Sequence, residues 1–276
     1  MAFRYFSKNG KLLGVGEANI PLSNIEYSYG FGVYETIRVA NKTPYFLVDH
    51  IERLGESARM IGLEHPFGGE EVEKYVTELI KKNEVETANL KMLLIGASKA
   101  EDAQLFIICL NPLFPDKKLY RDGATFITYE YERAFPHAKT LNMLQSYLAY
   151  KKAKEAGAYD ALLVNRNGSL IEGTRTNFFC IQDKNIFTPR EEEILLGVTR
   201  KAMLKVALDN GYTVQEGDIS WGEIQNSDGA FITSTSSKII PVRSIDDTEL
   251  KSIPDSLRDL MRIFDEFLGG CAGKME

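Results

Sequence analysis

Apolar and polar residues alternate at the start of the chain, and this period of two predicts β-structure there. Residues 3–14 read as a hairpin that turns at Asn9-Gly10, a dipeptide favoured in two-residue turns. Further on, apolar residues recur every three or four positions, as in a helix with one buried face. The first half is therefore predicted to contain strands at 33–39, 90–96 and 104–110, the last of them central, and helices at 47–61 and 70–83.

The second half has a similar mixture of elements after a break rich in proline and charge. We predict strands at 125–131, 160–165, 170–172, 177–181, 185–187 and 229–233, and helices at 142–156, 199–210 and 256–267. Asn167-Gly168 marks a second hairpin turn. The expected fold class is α/β (α+β), with an N-terminal domain at 1–112, a linker at 113–120 and a C-terminal domain at 121–276.

Composition and charge argue against several classes of protein. The chain has 276 residues and a net charge of −6 without a basic cluster, so a general nucleic-acid binder is not expected. Its apolar runs are too short to cross a bilayer, and its three widely spaced cysteines suggest buried reduced thiols. The three histidines lack metal-ligand spacing. We therefore expect a cytoplasmic protein without a metal site and without nucleic-acid or membrane partners.

Several polar positions could together bind an aldehyde, a ring nitrogen and a phosphate. Lys139 precedes a predicted helix, whose positive end and burial would both favour the free amine. Glu172 ends a predicted strand, where its carboxylate could face a ring nitrogen. Gly197-Val198-Thr199 opens another helix and offers amides and a hydroxyl to an anion, and Ser234-Thr235 adds hydroxyls. Each position has an ordinary alternative as a surface residue, a helix cap or a polar loop.

Arg53 is a position where the hydrophobic period argues against function. The apolar face of its predicted helix passes through Ile51, Leu54 and Ala58, and the arginine points nearly the opposite way. The pattern alone therefore predicts a solvent-exposed side chain.

Six blocks of the sequence carry chemically informative residues: Tyr29–Arg38, His50–Leu54, Lys139–Asn142, Glu172–Phe179, Leu196–Arg200, and Ser234-Thr235 followed by Pro241-Val242. Together they resemble the class IV aminotransferases, the fold-type IV enzymes that use pyridoxal 5′-phosphate (PLP). This family includes D-amino-acid transaminase, branched-chain transaminase, aminodeoxychorismate lyase and (R)-amine transaminases. The resemblance covers residues 20–245. The six blocks occur in the order that is seen in this family.

The resemblance implies two α/β domains with PLP at their junction, and homodimers in which the neighbouring chain completes the pocket. It implies that Lys139 bonds the cofactor and moves the proton, and that Glu172 faces the pyridine nitrogen. The implied phosphate ligands are Arg53, the backbone of Val198, Thr199, Ser234 and Thr235, and the implied substrate contacts are Tyr29 and Tyr34.

Two features bear on the substrate. Lys139-Thr-Leu-Asn142 resembles the D-amino-acid transaminases and the lyases more than the branched-chain enzymes, which have a tyrosine where this chain has Leu144. The Arg-x-His pair by which typical D-amino-acid transaminases bind the substrate carboxylate has no counterpart in 94–104. We expect Arg175 to bind the carboxylate instead, by a bidentate contact. The alternatives are Lys238, Arg38 and Lys99.

The sequence therefore favours a PLP-dependent transaminase that transfers the amino group of a small D-amino acid, of the D-alanine or D-glutamate type, to a 2-oxoacid such as 2-oxoglutarate or pyruvate. A branched-chain L-amino-acid transaminase and an aminodeoxychorismate lyase stay open as alternatives on the same scaffold. A non-catalytic PLP-binding paralogue is disfavoured because Lys139 and Glu172 are both present.

Overall fold

The computed structural model describes residues 3–20, 23–112 and 114–271, which form two compact units. Unit 1 comprises the described residues within Met1–Leu113 together with the short segment Ala138–Asn142. Unit 2 comprises Phe114–His137 and Met143–Cys271. The segment that carries Lys139 thus belongs to unit 1, whereas a division by chain position alone, such as the predicted one at 113–120, places it in the C-terminal part.

Unit 1 contains an antiparallel sheet with the strand order β2-β1-β6-β5-β3-β4. The hairpin at Asn9-Gly10 and the interior position of the 104–110 strand are confirmed. Its elements are β1 (Tyr5–Lys8), β2 (Lys11–Gly14), α1 (Ile25–Ser28), β3 (Gly32–Ala40), β4 (Thr43–Pro44), α2 (Leu47–Met60), α3 (Gly69–Lys82), β5 (Thr87–Ile95) and β6 (Gln104–Leu110).

The core of unit 1 lies between one face of this sheet and the two long helices, α2 and α3. Successive side chains of a strand point to opposite faces, so alternate residues of β3 form one row. Val33, Ile37 and Val39 of this row are fully buried. Burial of such an aliphatic side chain stabilises the fold by about 1.5–3 kcal/mol. Glu35 belongs to the same row and is also fully buried, which makes it an unusual member of an apolar core.

Unit 2 is built around a larger sheet with the strand order β12-β11-β10-β13-β14-β7-β8-β9, and β15 pairs with β14. Its elements are α4 (Lys117–Asp122), β7 (Ala124–Glu130), α5 (Leu144–Glu155), β8 (Asp160–Val164), β9 (Leu170–Gly173), β10 (Asn177–Gln182), β11 (Asn185–Thr188), α6 (Val198–Asp209), β12 (Thr213–Glu216), α7 (Trp221–Asn226), β13 (Gly229–Ser234), β14 (Lys238–Ile245), β15 (Thr248–Glu249) and α8 (Asp255–Cys271).

The sheet of unit 2 closes on itself through one additional pairing. Glu172 of β9 lies opposite Asn177 of β10, and this pair joins the last strand of the order back to β10. The turn between these strands is therefore held at both ends by the sheet. The hairpin at Asn167-Gly168 between β8 and β9 is confirmed.

The long strand β14 has no counterpart among the predicted strands. Pro241 lies in its middle, and a proline normally argues against a central strand because it lacks an N–H group. The recorded register explains how β14 tolerates it: Pro241 lies opposite Phe231 of β13, while pairing with β7 begins one residue later, at Val242. The missing donor therefore falls before the parallel ladder starts.

Two of the cysteines have the surroundings that the sequence predicts. Cys109 and Cys180 are buried and unpaired, and burial raises the pKa of each thiol to about 12. Among the residues that the structure describes, none forms part of a helix that is both long and apolar enough to span a bilayer.

Candidate active site

Lys139 is held by backbone hydrogen bonds on both sides of its short segment. Its carbonyl oxygen accepts from the N–H of Tyr34 at 2.9 Å, and its own N–H donates to Ser57 Oγ at 3.1 Å. Leu141 N–H donates to the carbonyl of Gly32 at 2.8 Å. A Cβ at position 32 would lie 2.7 Å from the carbonyl oxygen of Leu94, so glycine allows this close approach. The segment therefore continues the edge of β3, and the direction of the lysine side chain is set by it.

The expected position of Lys139 at the positive end of a helix is wrong. The helix α5 begins at Leu144, with Met143 as its N-cap residue, whereas Lys139 lies five positions earlier in a β-like segment of unit 1. Dipole effects fall off within the first helical turn, so a residue outside that turn gains little from them. The structure places the ammonium instead over the ring of Tyr34, with Nζ 4.6 Å from the ring centroid.

Tyr34 is shared by two ammonium groups. Lys91 Nζ, from the neighbouring strand β5, lies 5.3 Å from the centroid of the Tyr34 ring, so this one ring contacts both Lys91 and Lys139. The structure thus brings Tyr34, predicted as a substrate contact, next to Lys139, and it adds Lys91, which the sequence did not single out. Tyr29, the other predicted tyrosine, is the C-cap residue of α1 and is 76% exposed.

The exposed position predicted for Arg53 is wrong, because its side chain is only 9% exposed. The buried face of α2 is wider than its apolar residues indicate: it includes His50, Arg53 and Ser57 beside Leu54 and Ala58. The first three lie within one stripe at helical spacing, three and four positions apart. A hydrophobic pattern marks only the apolar flank of this face, so the polar flank was taken for the solvent side.

Arg53 and His50 share one buried carboxylate, that of Glu35. Arg53 Nε donates to Glu35 Oε1 at 2.6 Å and Arg53 Nη2 donates to Oε2 at 2.8 Å, while His50 Nδ1 lies 2.7 Å from Oε2. Burial by itself would raise the pKa of Glu35, but the charge of Arg53 and the hydrogen bond from His50 lower it to about 2. The carboxylate therefore stays charged at any physiological pH.

His50 is correspondingly held in its neutral form. Burial lowers the pKa of His50, and the positive charges of Arg53 and Lys139 act in the same direction, although Glu35 opposes them. A neutral imidazole that donates from Nδ1 to a carboxylate is the tautomer that this geometry favours. Glu35, His50 and Arg53 are called the Glu35 cluster below.

Glu172 is buried in unit 2, with 2% of its side chain exposed. Its Oε2 accepts from the N–H of Leu195 at 3.1 Å, and its Oε1 forms an ion pair with Arg133 Nε at 2.6 Å. Arg133 also donates through Nη2 to the carbonyl of Thr174 at 2.9 Å. The alternative of an exposed strand-end glutamate is therefore excluded, and the carboxylate has a fixed orientation.

Asn177 connects Glu172 to the start of α6. Its Nδ2 donates to the carbonyl oxygen of Leu195 at 2.7 Å. Leu195 thus binds Asn177 through its C=O and Glu172 through its N–H. A Cβ at Gly197, the N-cap residue of α6, would overlap Asn177 Oδ1. Glycine is therefore required for this close approach, and the first-turn amides of α6, beginning at Val198 and Thr199, are placed by the same loop as Glu172.

The turn after β13 contains the remaining predicted phosphate ligands, Ser234 and Thr235. Ser234 Oγ accepts from the N–H of Ser237 at 3.1 Å and lies 2.5 Å from Ser237 Oγ, so its hydroxyl closes the turn. Thr235 is half-buried in the middle of that turn.

Lys238, a predicted substrate contact, forms an ion pair in this structure. Its Nζ lies 2.6 Å from Asp265 Oδ1 of α8, and this ion pair competes with the predicted contact to a substrate.

Arg175 lies in the turn between β9 and β10. The residue is exposed, and its guanidinium lies over the ring of Tyr150, with Cζ 4.3 Å from the ring centroid. The N–H of Thr174 donates to the carbonyl of Ala161 at 3.2 Å, and that of Gly173 donates to the carbonyl of Thr176 at 2.8 Å. The turn is thus ordered by backbone bonds, while the cation at its tip stays accessible.

Three residues that hold Arg53, Lys139 and Glu172 in place were not predicted from the sequence. Glu35 lies within the block Tyr29–Arg38, and an acidic residue in an otherwise apolar strand is the signal that could have indicated it. Ser57 continues the helical spacing from His50 and Arg53, which is a weaker signal. Arg133 lies in a stretch without periodicity and has no local signal.

A model of the Amino-transferase class IV family matches residues 32–245 of the chain. A D-alanine aminotransferase of Bacillus licheniformis is 34% identical over 248 residues, which cover 86% of this chain and 87% of that protein. A D-alanine aminotransferase of Listeria monocytogenes serotype 1/2a is 28% identical over 254 residues, with 88% of each chain covered.

Solved structures of branched-chain enzymes share this fold. A T.th. branched-chain amino acid aminotransferase with pyridoxamine 5′-phosphate superposes with a TM-score of 0.90 at 27% identity, and the match covers 98% of this chain and 95% of that one. The branched-chain aminotransferase of the archaeon Thermoproteus uzoniensis with norvaline gives a TM-score of 0.87 at 27% identity, covering 99% of this chain and 96% of that one.

Proposed function

Since the chain belongs to the class IV aminotransferases, whose fold is of fold type IV and whose cofactor is PLP, we propose that it transfers the amino group of a small D-amino acid to a 2-oxoacid. The donors envisaged are of the D-alanine or D-glutamate type, and the acceptors are 2-oxoglutarate or pyruvate. The observation that carries the D-specific part is the 34% identity to a D-alanine aminotransferase over most of both chains.

The residues present fit PLP by their chemistry. Unit 1 supplies an amine, Lys139, on a rigid backbone, and unit 2 supplies a buried, oriented carboxylate, Glu172. The start of α6, where a Cβ at position 197 would overlap Asn177, has first-turn amide N–H groups of the kind that bind phosphate at helix N-termini. Arg53, Thr199 and Thr235 are the side chains proposed to complete the phosphate site, with Ser234 supporting the turn.

The proposed roles follow from these positions. When bound, PLP supplies an aldehyde that reacts with amines and a ring that accepts electrons from the substrate carbon. In the first half-reaction Lys139 would take the α-proton of the donor as a general base and return it, as a general acid, to the former aldehyde carbon. In the second half-reaction it would move a proton in the reverse direction, from that carbon to the α-carbon of the acceptor. Glu172 accepts a hydrogen bond from the ring nitrogen, and Arg133 and Leu195 keep its carboxylate in place.

Arg175 is the cation proposed to bind the substrate carboxylate. Arg175 is an exposed residue whose guanidinium lies over Tyr150, and a planar guanidinium can bind a carboxylate by a bidentate contact. Lys238 is a poorer candidate because of its ion pair with Asp265. Tyr29 and Tyr34 are proposed to line the substrate side.

We also propose a homodimer. The start of α5 exposes three large apolar side chains, Leu144, Tyr147 and Leu148, and such a group is typical of an interface. Analytical ultracentrifugation of the holoenzyme tests this directly, since a monomer would contradict it. The cytoplasmic location stays a prediction.

A branched-chain L-amino-acid transaminase is the second candidate function, and it is favoured by the TM-score of 0.90 to such an enzyme. A donor panel separates the two. Purified holoenzyme is incubated with D-alanine, L-leucine or (R)-phenylethylamine and 2-oxoglutarate, and with D-glutamate and pyruvate. The proposal expects the highest kcat/KM with the D-amino acids; activity on L-leucine alone would contradict it. Pyruvate release from aminodeoxychorismate without an acceptor would identify a lyase.

A further inference from the structure

One buried charged group of unit 1 is not used by the chemistry described above. Glu35 is fully buried in the row of β3 that also contains Val33 and Ile37. Taking a carboxylate and its partners out of water costs free energy, and buried ion pairs often contribute no net stability compared with apolar side chains. Stability alone is therefore a weak explanation for a carboxylate at this position.

The contacts of Glu35 fix the orientation of a guanidinium. Arg53 meets the carboxylate with its Nε and Nη2 atoms, at 2.6 and 2.8 Å, so that one edge of the planar fork lies against both oxygens. Such a paired contact sets the position of the guanidinium and also its rotation. Because this edge is committed to Glu35, a second anion has to approach Arg53 from another side of the group.

The carboxylate is itself held from two further directions. The backbone N–H of Thr36 donates to Glu35 Oε2 at 3.3 Å, and His50 Nδ1 lies 2.7 Å from the same oxygen. His50 and Arg53 are three positions apart on α2, so both approach Glu35 from one helix face. The guanidinium is thereby tied to the sheet through Glu35 as well as to its own helix.

We propose that Glu35 is a positioning residue that orients the guanidinium of Arg53 towards the cofactor phosphate, with His50 securing the carboxylate. This inference rests on the proposed role of Arg53 as a phosphate ligand. The low pKa of Glu35 and the neutral form of His50 support it, since the contact then keeps one protonation state over the working pH range.

Charge and orientation predict opposite effects of the same substitution. Glu35→Gln removes a negative charge next to Arg53, so electrostatics alone would strengthen phosphate binding. Loss of the paired contact instead frees the guanidinium to rotate, which weakens phosphate binding. We expect the second effect to dominate and to lower PLP affinity by about 10- to 100-fold, the range typical when an outer contact that orients a ligand group is removed.

The experiment compares PLP with pyridoxal, which has the same ring and aldehyde but no phosphate. Apoenzymes of the wild type and of Glu35→Gln are titrated with each compound, and Kd is read from the change in visible absorbance. The expected result is a weaker Kd for PLP with little change for pyridoxal. An equal loss for both compounds, or a tighter Kd for PLP, overturns the positioning role.

Two further variants keep the result interpretable. Where Glu35→Gln does not fold, Glu35→Asp keeps the charge but withdraws the carboxylate by one methylene, and the same selective loss is expected. Asp160→Asn removes another buried carboxylate, in unit 2, and should leave the ratio of the two Kd values unchanged.

A wild type that does not prefer PLP over pyridoxal would refute the phosphate role of Arg53, whereas failure of the donor panel would refute only the proposed substrate.

Discussion

The two units hold their candidate catalytic side chains in different ways. In unit 1, Lys139 is fixed through the backbone of β3 and the hydroxyl of Ser57, and Arg53 through the buried Glu35 cluster. These contacts join residues far apart in sequence. In unit 2, Glu172 is fixed through Leu195, which is bound in turn by Asn177, a neighbour of Glu172 across one strand pair.

This difference indicates which kind of substitution should disturb the candidate site residues of each unit. Arg53 in unit 1 depends on the buried charge of Glu35, so loss of this partner leaves the guanidinium uncompensated. In unit 2 the ion pair of Glu172 with Arg133 is combined with backbone amides and carbonyls next to Gly197, so steric changes there are expected to be damaging as well. The following predictions separate the two kinds of support, beginning with the largest effect.

Lys139→Ala is expected to have the largest effect. It removes the amine that is proposed to move the proton, so kcat should fall by at least about 10³-fold, within the range for loss of a general acid–base. The variant should also lose the visible absorbance that depends on the covalent bond to the cofactor. Lys151→Ala, on the exposed side of α5, is the matched control. Retention of activity in Lys139→Ala would remove this residue from the mechanism.

Glu172→Gln should lower kcat by about 10²-fold, as is typical when one charged contact in a catalytic site is lost. The substitution keeps the shape of the side chain and its bond to Leu195, so the fold should be retained. KM for the amino donor should change much less than kcat. Glu155→Gln on exposed α5 is the control, and a Glu172→Gln enzyme with an unchanged kcat would disprove the assigned role.

Gly197→Ala tests the steric support in unit 2. The added Cβ would overlap Asn177 Oδ1, which forces the loop before α6 to move at a cost of about 1–3 kcal/mol. We expect a lower Tm and a weaker Kd for PLP. Gly217→Ala is a matched control, because a Cβ there has no neighbour within 4 Å. Equal effects of the two substitutions would show that the contact with Asn177 is unimportant.

Arg175→Ala should raise KM for D-amino acids by about 10-fold, which corresponds to the loss of one charge-assisted contact. KM for an amine without a carboxylate, such as (R)-phenylethylamine, should change little. The stability of the variant should be close to that of the wild type, because the guanidinium is exposed. An equal rise in KM for both donors would exclude the carboxylate role.

The smallest expected effect is a pH dependence of stability that arises in unit 1. His50 is neutral in the fold because burial lowers its pKa, whereas in the unfolded chain it takes up a proton below about pH 6.5. Its contribution to stability is therefore complete above this pH and is lost as the pH falls, by up to about 1.4 kcal/mol per pH unit. Urea denaturation at several pH values should show a shallower dependence in His50→Gln; an unchanged slope would contradict the assignment.

The sequence predicted local elements better than it predicted the supports of the site. Periodicity located α2 and β3, and turn residues located both hairpins, because these signals are local. The sequence pattern gave the wrong exposure for Arg53, because a polar stripe extends the buried face of the helix. It did not predict β14, because Pro241 lies within that strand.

The position of Lys139 could not be read from its neighbours along the chain. The pattern after it predicts a helix, and that helix exists, but the lysine pairs with β3, more than one hundred positions earlier in the sequence. The resemblance to a family made this lysine a candidate in spite of this, since it compares motifs and needs no local structure. Arg133 and Ser57 have no such motif, and the fold was needed to find them.

The central claim is that this enzyme transaminates D-amino acids, and racemic alanine provides its most direct test. Purified holoenzyme is incubated with DL-alanine and 2-oxoglutarate, and the two enantiomers are followed by chiral chromatography. We predict that D-alanine disappears as pyruvate and glutamate form in equal amounts, while L-alanine stays constant. Consumption of L-alanine with D-alanine unchanged, or of neither enantiomer, would contradict the claim.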